Sequence, residues 1–309
     1  MIKYFYKSLR GDTLQELANP QRGTWVHAEA PNEAEVEELT KRFKLEPGYL
    51  EDALDEDEMP RLEREDEQSY VFVRYPYRTQ EGEMDTAPLL IMFDAEVVLT
   101  VSPFHLPAVD ALLRSKTAFA TTQRAKLMLL ILSHISEQYD TSISQTSRKI
   151  KAIRSRLRNQ GITNQDLIDF VILEDELNEF LASLLPTNAT LRRLLVGRYI
   201  PLFEEDQDIV EDLLLNNEQS IEAIRANLRS ISNIRDAYTA ISSNNLNQTI
   251  KLLTIATVLI ALPNVFFGMY GMNVDLPFQN QPWVYEVIIG FNAFLILTIL
   301  AVARKKRII

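Results

Sequence analysis

Two long apolar stretches lie close together near the C-terminal end of the chain. Residues 250–269 carry one charge, Lys251, and residues 283–303 carry one charge, Glu286. Each stretch has about the 20 residues that an α-helix needs to cross roughly 30 Å of hydrocarbon. The linking residues, 270–282, are too few for a domain and too polar for lipid. The pattern therefore predicts a hairpin of two membrane-spanning helices.

Basic residues directly after the second span set the predicted orientation. The tail, residues 304–309, begins with Arg-Lys-Lys-Arg, which the positive-inside rule places in the cytoplasm. Residues 1–10 lack a long apolar core before a small-residue cleavage site, so they do not resemble a signal peptide. We expect a protein of the cell (inner) membrane that crosses it twice, with both termini cytoplasmic and residues 270–282 outside.

The hydrophobic pattern of residues 1–117 alternates between short strands and short helices. Runs rich in Val, Ile, Tyr and Phe, bounded by Pro, Gly or acidic turns, predict strands. The predicted strands are Ile2–Tyr6, 25–28, 70–75, 89–93 and 97–102, and the predicted helices are 32–43, 47–54 and 106–114. Asn32, directly after Pro31, is typical of a helix N-cap. This mixture predicts an α/β cytoplasmic domain.

From residue 118 onward the strand signals stop and a period of 3.6 residues takes over. Gly161 and Pro186 interrupt the first part of it. We interpret residues 118–200 as two long antiparallel helices, with Gly161 ending the first and Thr163 or Asn164 capping the second.

Residues 201–249 predict a stalk helix, with Pro201 in its first turn. Continued into the first span, the pattern is roughly 90 Å long at 1.5 Å per residue. Apolar residues recur along the stalk at spacings typical of a coiled coil. They are Ile221, Ile224, Leu228, Ile231 and Tyr238. Packing within one subunit explains most of this seam, but two spans cannot enclose an aqueous path, so a pore needs several subunits around an axis.

Composition narrows the chemistry to oxygen ligands. The chain of 309 residues has no cysteine and three histidines, which are scattered along it. It therefore lacks thiolate ligands and disulfides, and a histidine-rich metal site within one subunit is not expected. No nucleophile–base pair or phosphate-binding loop indicates an enzyme. The net charge of −11 repels nucleic acid and attracts cations, although most acidic runs serve solubility.

One face of the first span mixes polar and small side chains with aliphatic ones. At steps of three or four, it consists of Asn247, Ile250, Leu253, Thr257, Ala261, Asn264 and Gly268. Helix–helix interfaces in lipid use similar residues. However, an amide in lipid is unfavourable unless it faces a partner or water, so we favour a pore. Rings of Ile250 and Leu253 would close such a pore by dewetting.

The loop between the spans offers neutral acceptors at the outer mouth of this pore. Several copies of Asn273 around an axis would give a ring of amide carbonyls. Because Mg²⁺ gives up its water reluctantly, acceptors that bind its hydration shell can select it. A ring of carboxylates would release it more slowly. Gly271 would permit a tight reversal at the helix end, and Tyr270 suits the interfacial belt.

The segment Tyr270-Gly-Met-Asn273, between two C-terminal spans and before a basic tail, closely resembles the signature of CorA-type divalent-cation channels. The likeness extends over most of the chain. It includes Trp25 in an early strand, the Leu-Glu-Asp-Ala-Leu segment at 50–54, the long stalk and Leu253-Thr-Ile in the first span.

This resemblance implies a funnel-shaped homopentamer of α/β domains, long helices, stalks and hairpins. The implied selectivity filter is Gly271, Met272 and Asn273. Mg²⁺ would be both the transported and the regulatory ion, because internal Mg²⁺ bound between neighbouring subunits would hold the channel closed. The residues that match this regulatory site are Glu51 and Asp52 of one subunit and Asp212 on the stalk of the next. Carboxylates brought together repel one another and need a divalent ion to stay close.

Three features depart from the family pattern. Ser133 stands where a second intersubunit acid is expected, which would weaken one sensing site. After Asn273 the loop reads Val-Asp-Leu-Pro-Phe-Gln instead of the Met-Pro-Glu-Leu common among relatives, so Asp275 is the main acid left to attract external cations. Ala261 stands where many relatives have methionine, which would widen the pore there and shift closure toward Leu253.

The sequence thus favours a passive channel for Mg²⁺, and also for Co²⁺ or Ni²⁺, driven inward by the membrane potential. Two alternatives stay open. One is a Zn²⁺ transporter of the same architecture, with or without coupling to protons, which would resemble ZntB-type relatives. The other is a membrane-anchored coiled-coil scaffold that has no pore.

Overall fold

The computed structural model describes residues 1–11, 13–114, 119–159, 163–197, 199–278 and 280–305. It divides into two compact units, Met1–Asn233 and Ile234–Ile309. The first unit is a layered α/β structure, and the described part of the second is helical apart from one loop. One long helix contributes residues to both units.

A mixed sheet forms the centre of the first unit. Its strands are β1 (Ile2–Tyr6), β2 (Gln15–Leu17), β3 (Trp25–Glu29), β4 (Arg61–Glu65), β5 (Gln68–Arg78), β6 (Met84–Phe93) and β7 (Val98–Ser102). They lie in the order β2-β1-β3-β7-β6-β5-β4. The β3–β7 pair is parallel and the other five neighbouring pairs are antiparallel.

Helices cover both faces of this sheet. The helices of this unit are α1 (Glu33–Phe43), α2 (Pro47–Asp52), α3 (Pro107–Arg114), α4 (Arg124–Asn159), α5 (Asn164–Leu195) and the first part of α6 (Glu204–Tyr270). Leu39 of α1 and Leu50 of α2 pack into one core with Tyr70 and Phe72 of β5. On β5 the intervening Val71 and Val73 are equally buried, and α4 and α5 pack against this strand. Because β5 is buried on both faces, it is a nearly continuous apolar run.

Helices α4 and α5 run antiparallel. The Thr146 hydroxyl donates to Glu176 at 2.6 Å, and ten residues further along α4 Arg156 pairs with Asp166. Burial is the main effect on the Glu176 carboxyl and raises its pKa. The hydroxyl of Thr163 caps α5 through the Asp166 N–H, which confirms one of the two caps expected here. Gly161, expected to end α4, lies outside the described residues.

Helix α6 packs in the first unit through a face that carries both apolar and polar residues. Ile221, Ile224 and Ile231 of the expected coiled-coil seam are buried there in a single chain, so packing within the subunit explains them. Asn217 on the same helix accepts a hydrogen bond of 2.9 Å from Ser136 of α4.

Several element boundaries differ from the sequence expectations. The strands β2 and β4 were not expected, because their polar sequences, Gln-Glu-Leu and Arg-Leu-Glu-Arg-Glu, belong to the two edges of the sheet. Pro186 does not interrupt a helix but lies inside α5. Pro201 precedes α6 instead of occupying its first turn, since the helix begins at Glu204 and Asp206 accepts a hydrogen bond from the Phe203 N–H. By contrast, the N-cap at Asn32 is confirmed, with a reciprocal bond to Glu35.

The second unit contains the end of α6 and a further helix, α7 (Val284–Lys305). Both helices are long and apolar enough to cross a membrane, with windows of mean hydropathy 2.0 and 2.3. Their side chains are largely exposed in a single chain, including Leu253 at 67% and Phe294 at 65%. An apolar helix surface of this size is stable in lipid, or against further copies of the chain, rather than in water.

Arg74 is a buried basic residue that ties a loop to the sheet. Its guanidinium donates to the carbonyls of Glu56 and Glu58, each at 2.8 Å, and to the hydroxyl and carbonyl of Thr86 at 2.9 and 2.6 Å. These four bonds hold the acidic segment before β4 against β6. A buried acceptor that loses its donor cannot recover the bond from solvent.

We therefore expect Arg74→Leu to destabilise the protein by about 3 kcal/mol, or roughly 6 °C or more in Tm. Thermal unfolding of the full chain in detergent measures this change. Arg78→Leu is the matched control, because Arg78 lies on the same strand, is exposed and donates to the Gly82 carbonyl of its own hairpin; its effect should stay within about 0.5 kcal/mol. Equal losses in the two variants would contradict the role assigned to Arg74.

Candidate ion pathway and acidic edge

One face of α6 packs against α7 in the second unit. Between residues 250 and 270, five side chains are partly buried and the others are exposed. The five are Ile255, Leu259, Leu262, Pro263 and Phe266. Phe266 meets Phe291 of α7 edge to face, with ring centroids 5.2 Å apart. This contact defines the side of α6 that faces its own hairpin partner.

The residues expected to line a pore lie on the other side of the helix. All seven, from Asn247 to Gly268, are exposed in one chain. At about 100° per residue, their mean direction is roughly 170° away from that of the five residues facing α7. The two helices of one hairpin therefore leave this mixed polar stripe uncovered. Within a single chain, these seven side chains do not face one another across a common axis.

The hydroxyl of Thr257 is oriented by its own helix. It donates to the carbonyl of Leu253, one turn earlier, at 2.8 Å. This bond uses the hydroxyl hydrogen and leaves the oxygen lone pairs as acceptors. The amide of Asn264 lies two turns further along the same face. The stripe therefore presents oxygen acceptors between its aliphatic residues.

The loop after α6 continues the helix geometry before it turns. The Gly271 N–H donates to the Phe267 carbonyl at 3.0 Å, and the Met272 N–H donates to the Met269 carbonyl at 3.3 Å. Gly271 does not have a positive φ, but a Cβ at this position would lie 3.2 Å from the Phe267 carbonyl oxygen, so a residue without a side chain suits the close packing at the helix end. Among the described residues of this loop, the left-handed backbone belongs to Phe278, with φ 68°. Gly271, Met272, Asn273 and Asp275 are all exposed.

Aromatic side chains make contacts at each end of this loop. The Tyr270 hydroxyl donates to the Pro277 carbonyl at 3.3 Å. The rings of Phe278 and Trp283 lie 5.7 Å apart. Tyr and Trp are the residues enriched where a span meets the headgroups. The positions of Tyr270 and Trp283 therefore mark the two helix ends at one interface.

Asn292 is a polar residue in the apolar hairpin that the sequence analysis did not single out. It is 4% exposed, and its Nδ2 donates to the Ile288 carbonyl at 2.9 Å. Its Oδ1 is buried without a partner among the described residues. The signal that could have found it is an amide at the middle of the second span.

An acidic edge surrounds Arg61 on strand β4. The guanidinium contacts Asp52 Oδ2 at 2.6 Å and Glu63 Oε1 at 2.5 Å, and it also pairs with Glu58. The same group lies 4.0 Å from the centre of the Phe72 ring, which fixes its plane. Three carboxylates thus share one protein cation.

Tyr49 and Glu63 extend this edge toward the core. The Tyr49 hydroxyl donates to Glu63 at 2.8 Å, and both burial and this bond raise the pKa of the tyrosine. Burial would raise the pKa of Glu63, but hydrogen bonds from Tyr49 and Arg61 outweigh it and lower this pKa. Glu63 is therefore held as a carboxylate.

The expected regulatory residues occupy separate positions in one chain. Glu51 and Asp212 are exposed on α2 and α6, and Asp52 is already paired with Arg61. Ser133 donates its hydroxyl to the Leu129 carbonyl of its own helix at 2.9 Å. In the part of the chain that the structure describes, no three His, Cys, Asp or Glu residues are arranged to hold a metal ion.

Two of the histidines, although distant in sequence, converge on Glu29. His105 Nδ1 lies 2.9 Å from Glu29 Oε2 and His27 Nε2 lies 3.8 Å from it. Interaction with His27, supported by the Leu106 N–H and by His105, lowers the pKa of Glu29 to about 2 against the effect of burial. The expectation of scattered histidines missed this cluster, because the parallel pairing of β3 and β7 creates it.

These features define a membrane-integral protein with a large α/β unit, two C-terminal spans and a short Gly-Met-Asn loop between them. Comparisons with known proteins agree. The profile of the CorA-like Mg²⁺ transporter protein family matches residues 20–307. The cobalt/magnesium transport protein CorA of Methanocaldococcus jannaschii is 25% identical over 289 residues, which cover 91% of this chain and 90% of that relative.

Solved structures share the fold. The complete CorA magnesium transporter from Methanocaldococcus jannaschii superposes with a TM-score of 0.86 and 21% identity, covering 98% of this chain and 97% of that one. The ZntB cytoplasmic domain from Vibrio parahaemolyticus gives a TM-score of 0.64 with 11% identity, covering 78% of this chain and 98% of that domain. The chain belongs to the CorA-like Mg²⁺ transporter family. Its members are transporters rather than enzymes.

The contacts of Arg61 lead to a prediction about cation binding. Arg61→Gln removes the cation that three carboxylates share, so we expect Mg²⁺ to bind at this edge about tenfold more tightly, the effect of one charge pair near the surface. Isothermal titration of the full chain in detergent measures the affinity. Arg64→Gln is the control, because it makes the same charge change on the same exposed strand. An unchanged affinity in Arg61→Gln would show that Arg61 does not compete with Mg²⁺ for these carboxylates.

Proposed function

We propose that this protein is a passive channel for Mg²⁺, and for Co²⁺ or Ni²⁺, formed by a funnel-shaped homopentamer. The observation that carries the proposal is the mixed polar stripe of α6, which faces away from α7. In lipid the amides of Asn247 and Asn264 would be unfavourable, whereas around a common axis they would face water. Family membership supports Mg²⁺ as the transported ion.

In this proposal Gly271, Met272 and Asn273 form the outer filter. Asn273 supplies a ring of neutral carbonyl acceptors that bind the hydration shell of Mg²⁺ without removing it. Asp275, two residues further along the exposed loop, attracts cations to the mouth. Closure occurs at Ile250 and Leu253, where the pore face is aliphatic. Ala261, which lies nearer the outer mouth, leaves the pore wider at its own level.

The membrane potential supplies the driving force. A charge that crosses 100 mV gains roughly 2.3 kcal/mol, so a divalent ion gains about 4.6 kcal/mol, enough for more than a thousandfold accumulation. The basic residues after α7 favour both termini in the cytoplasm. We accordingly assign residues 1–117, 118–200 and 201–249 to the cytoplasmic body and stalk.

Gating in this proposal depends on internal Mg²⁺ bound between subunits. Glu51 and Asp52 of one subunit and Asp212 of its neighbour would supply the carboxylates. The contact between Arg61 and Asp52 bears on this site, because a guanidinium that already neutralises a carboxylate competes with the ion. Ser133 also stands in place of a second acid. Closure by Mg²⁺ would therefore be weaker than in a channel whose sites contain only unpaired carboxylates.

Two alternatives remain. A Zn²⁺ transporter, with or without coupling to protons, would have the same architecture. The similarity to the ZntB cytoplasmic domain is a similarity of fold alone. A scaffold without a pore would place the stripe of α6 in a dry interface between copies. The first alternative differs from the channel in its ion and its dependence on a pH gradient, and the second in having no flux.

Flux into liposomes that contain the full chain tests the channel. An enclosed Mg²⁺-sensitive dye should report uptake that follows the membrane potential and is independent of a pH gradient. Asn273→Ala should reduce this uptake at least about tenfold, because the ring of acceptors is lost. Asn280→Ala in the same loop is the control and should conduct normally. Uptake of Zn²⁺ alone that requires a pH gradient would favour the transporter, and unchanged flux in Asn273→Ala would rule out the filter.

Closure by internal Mg²⁺ tests the regulatory site separately. Asp212→Asn should raise the internal Mg²⁺ concentration needed for half-closure about threefold or more, because one carboxylate is lost from each site. Glu51→Gln and Asp52→Asn should act in the same direction. Asp208→Asn, an exposed acid one turn earlier on α6, is the control. If all three site variants close like the parent protein, the sensing residues lie elsewhere.

A further inference from the structure

The exposed face of α6 continues beyond the stripe toward the N-terminal side. Residues 239–249 are all exposed in one chain and carry no charge. Most of them are hydroxyl or amide residues, and two are large and apolar, Ile241 and Leu246. Their exposed fractions are 47% and 61%. Single exposed apolar residues are ordinary, so the position of each one around the helix decides whether it has a role.

Helix phase separates these two residues. At about 100° per residue, Leu246 lies roughly 35° from the mean direction of the pore stripe, closer than Asn247 at roughly 65°. Ile241 lies about 15° from the mean direction of the residues that pack against α7. Leu246 therefore shares the face of Ile250 and Leu253, and Ile241 lies on the opposite side of the helix.

We propose that Leu246 is a further closing residue of the channel, which forms an apolar ring one turn before Ile250. This inference rests on the proposed pore. Leu246, Ile250 and Leu253 then make three successive aliphatic layers over about 10 Å of helix.

The length of the apolar segment sets its effect. A constriction lined by aliphatic side chains excludes water, and a hydrated divalent ion cannot pass without its shell. One additional ring extends the dry segment by a full turn. Asn247 lies at the edge of this face, whereas Ser243 lies within it about one turn before Leu246, so an amide at position 246 would extend the polar region around Ser243 and shorten the barrier from below.

The test compares Leu246→Asn with Ile241→Asn in the full chain in liposomes. The two variants introduce the same side chain into the same exposed segment, on opposite faces. At an internal Mg²⁺ concentration that closes the parent channel, Leu246→Asn should raise residual flux about fivefold or more. Ile241→Asn and the volume-conserving Leu246→Ile should match the parent. Equal leaks in both asparagine variants, or no leak in Leu246→Asn, would overturn the proposal.

Cysteine accessibility provides a second measurement that does not depend on closure. The chain has no cysteine, so Leu246→Cys creates a single target. A charged methanethiosulfonate reagent added from the cytoplasmic side should block flux in this variant and leave Ile241→Cys conducting. If the reagent blocks neither variant, Leu246 does not face the pore.

The outcomes also distinguish the two levels of inference. If the parent protein conducts and Asn273→Ala abolishes flux, a silent Leu246→Asn overturns the Leu246 assignment alone. If the parent protein shows no potential-driven flux of any divalent ion, the channel and the Leu246 assignment both fail.

Discussion

A polar group in hydrocarbon needs a partner, and this constraint governs the C-terminal part of the protein. The helices α6 and α7 satisfy their backbone groups internally, so the remaining question concerns side chains. Asn292 faces the hairpin interior and bonds to its own helix. The amides on the stripe of α6 face away from α7, where no other part of the same hairpin can satisfy them. In the proposed pore, further copies of the chain with water between them would remove this penalty.

The acidic edge of the first unit follows the complementary rule, since carboxylates close together need a cation. Asp52, Glu58 and Glu63 have one in Arg61, which the Phe72 ring holds in place. A protein cation cannot leave the site, whereas a divalent ion can respond to its concentration. In the proposed regulation, the response to Mg²⁺ would therefore depend on the balance between Arg61 and the ion, and not on the number of acids alone.

Sequence patterns predicted the apolar elements and the amphipathic helices, and missed the two polar edge strands. The buried runs of β5, β6 and β7 and both spans were visible from their Val, Ile, Leu and Phe content. The edge strand β4 was not, because four of its five residues are charged. That omission also hid the pairing of Asp52 with Arg61, a contact that forms only when β4 folds beside α2. The Glu29 cluster was missed for a different reason: both strands were predicted, but their parallel pairing joins segments about 70 residues apart in sequence.

The filter and the acidic edge would use different chemistry for the same ion because they must hold it for different times. A neutral amide ring such as Asn273 binds the hydration shell, so the ion leaves quickly and conduction continues. Carboxylates bind Mg²⁺ more strongly and suit a site that reports concentration. An aliphatic constriction binds neither water nor ion, which makes it suitable for closure and unsuitable for selection. In the proposed channel, selection in the loop and closure on α6 use different residues, so each could change independently of the other.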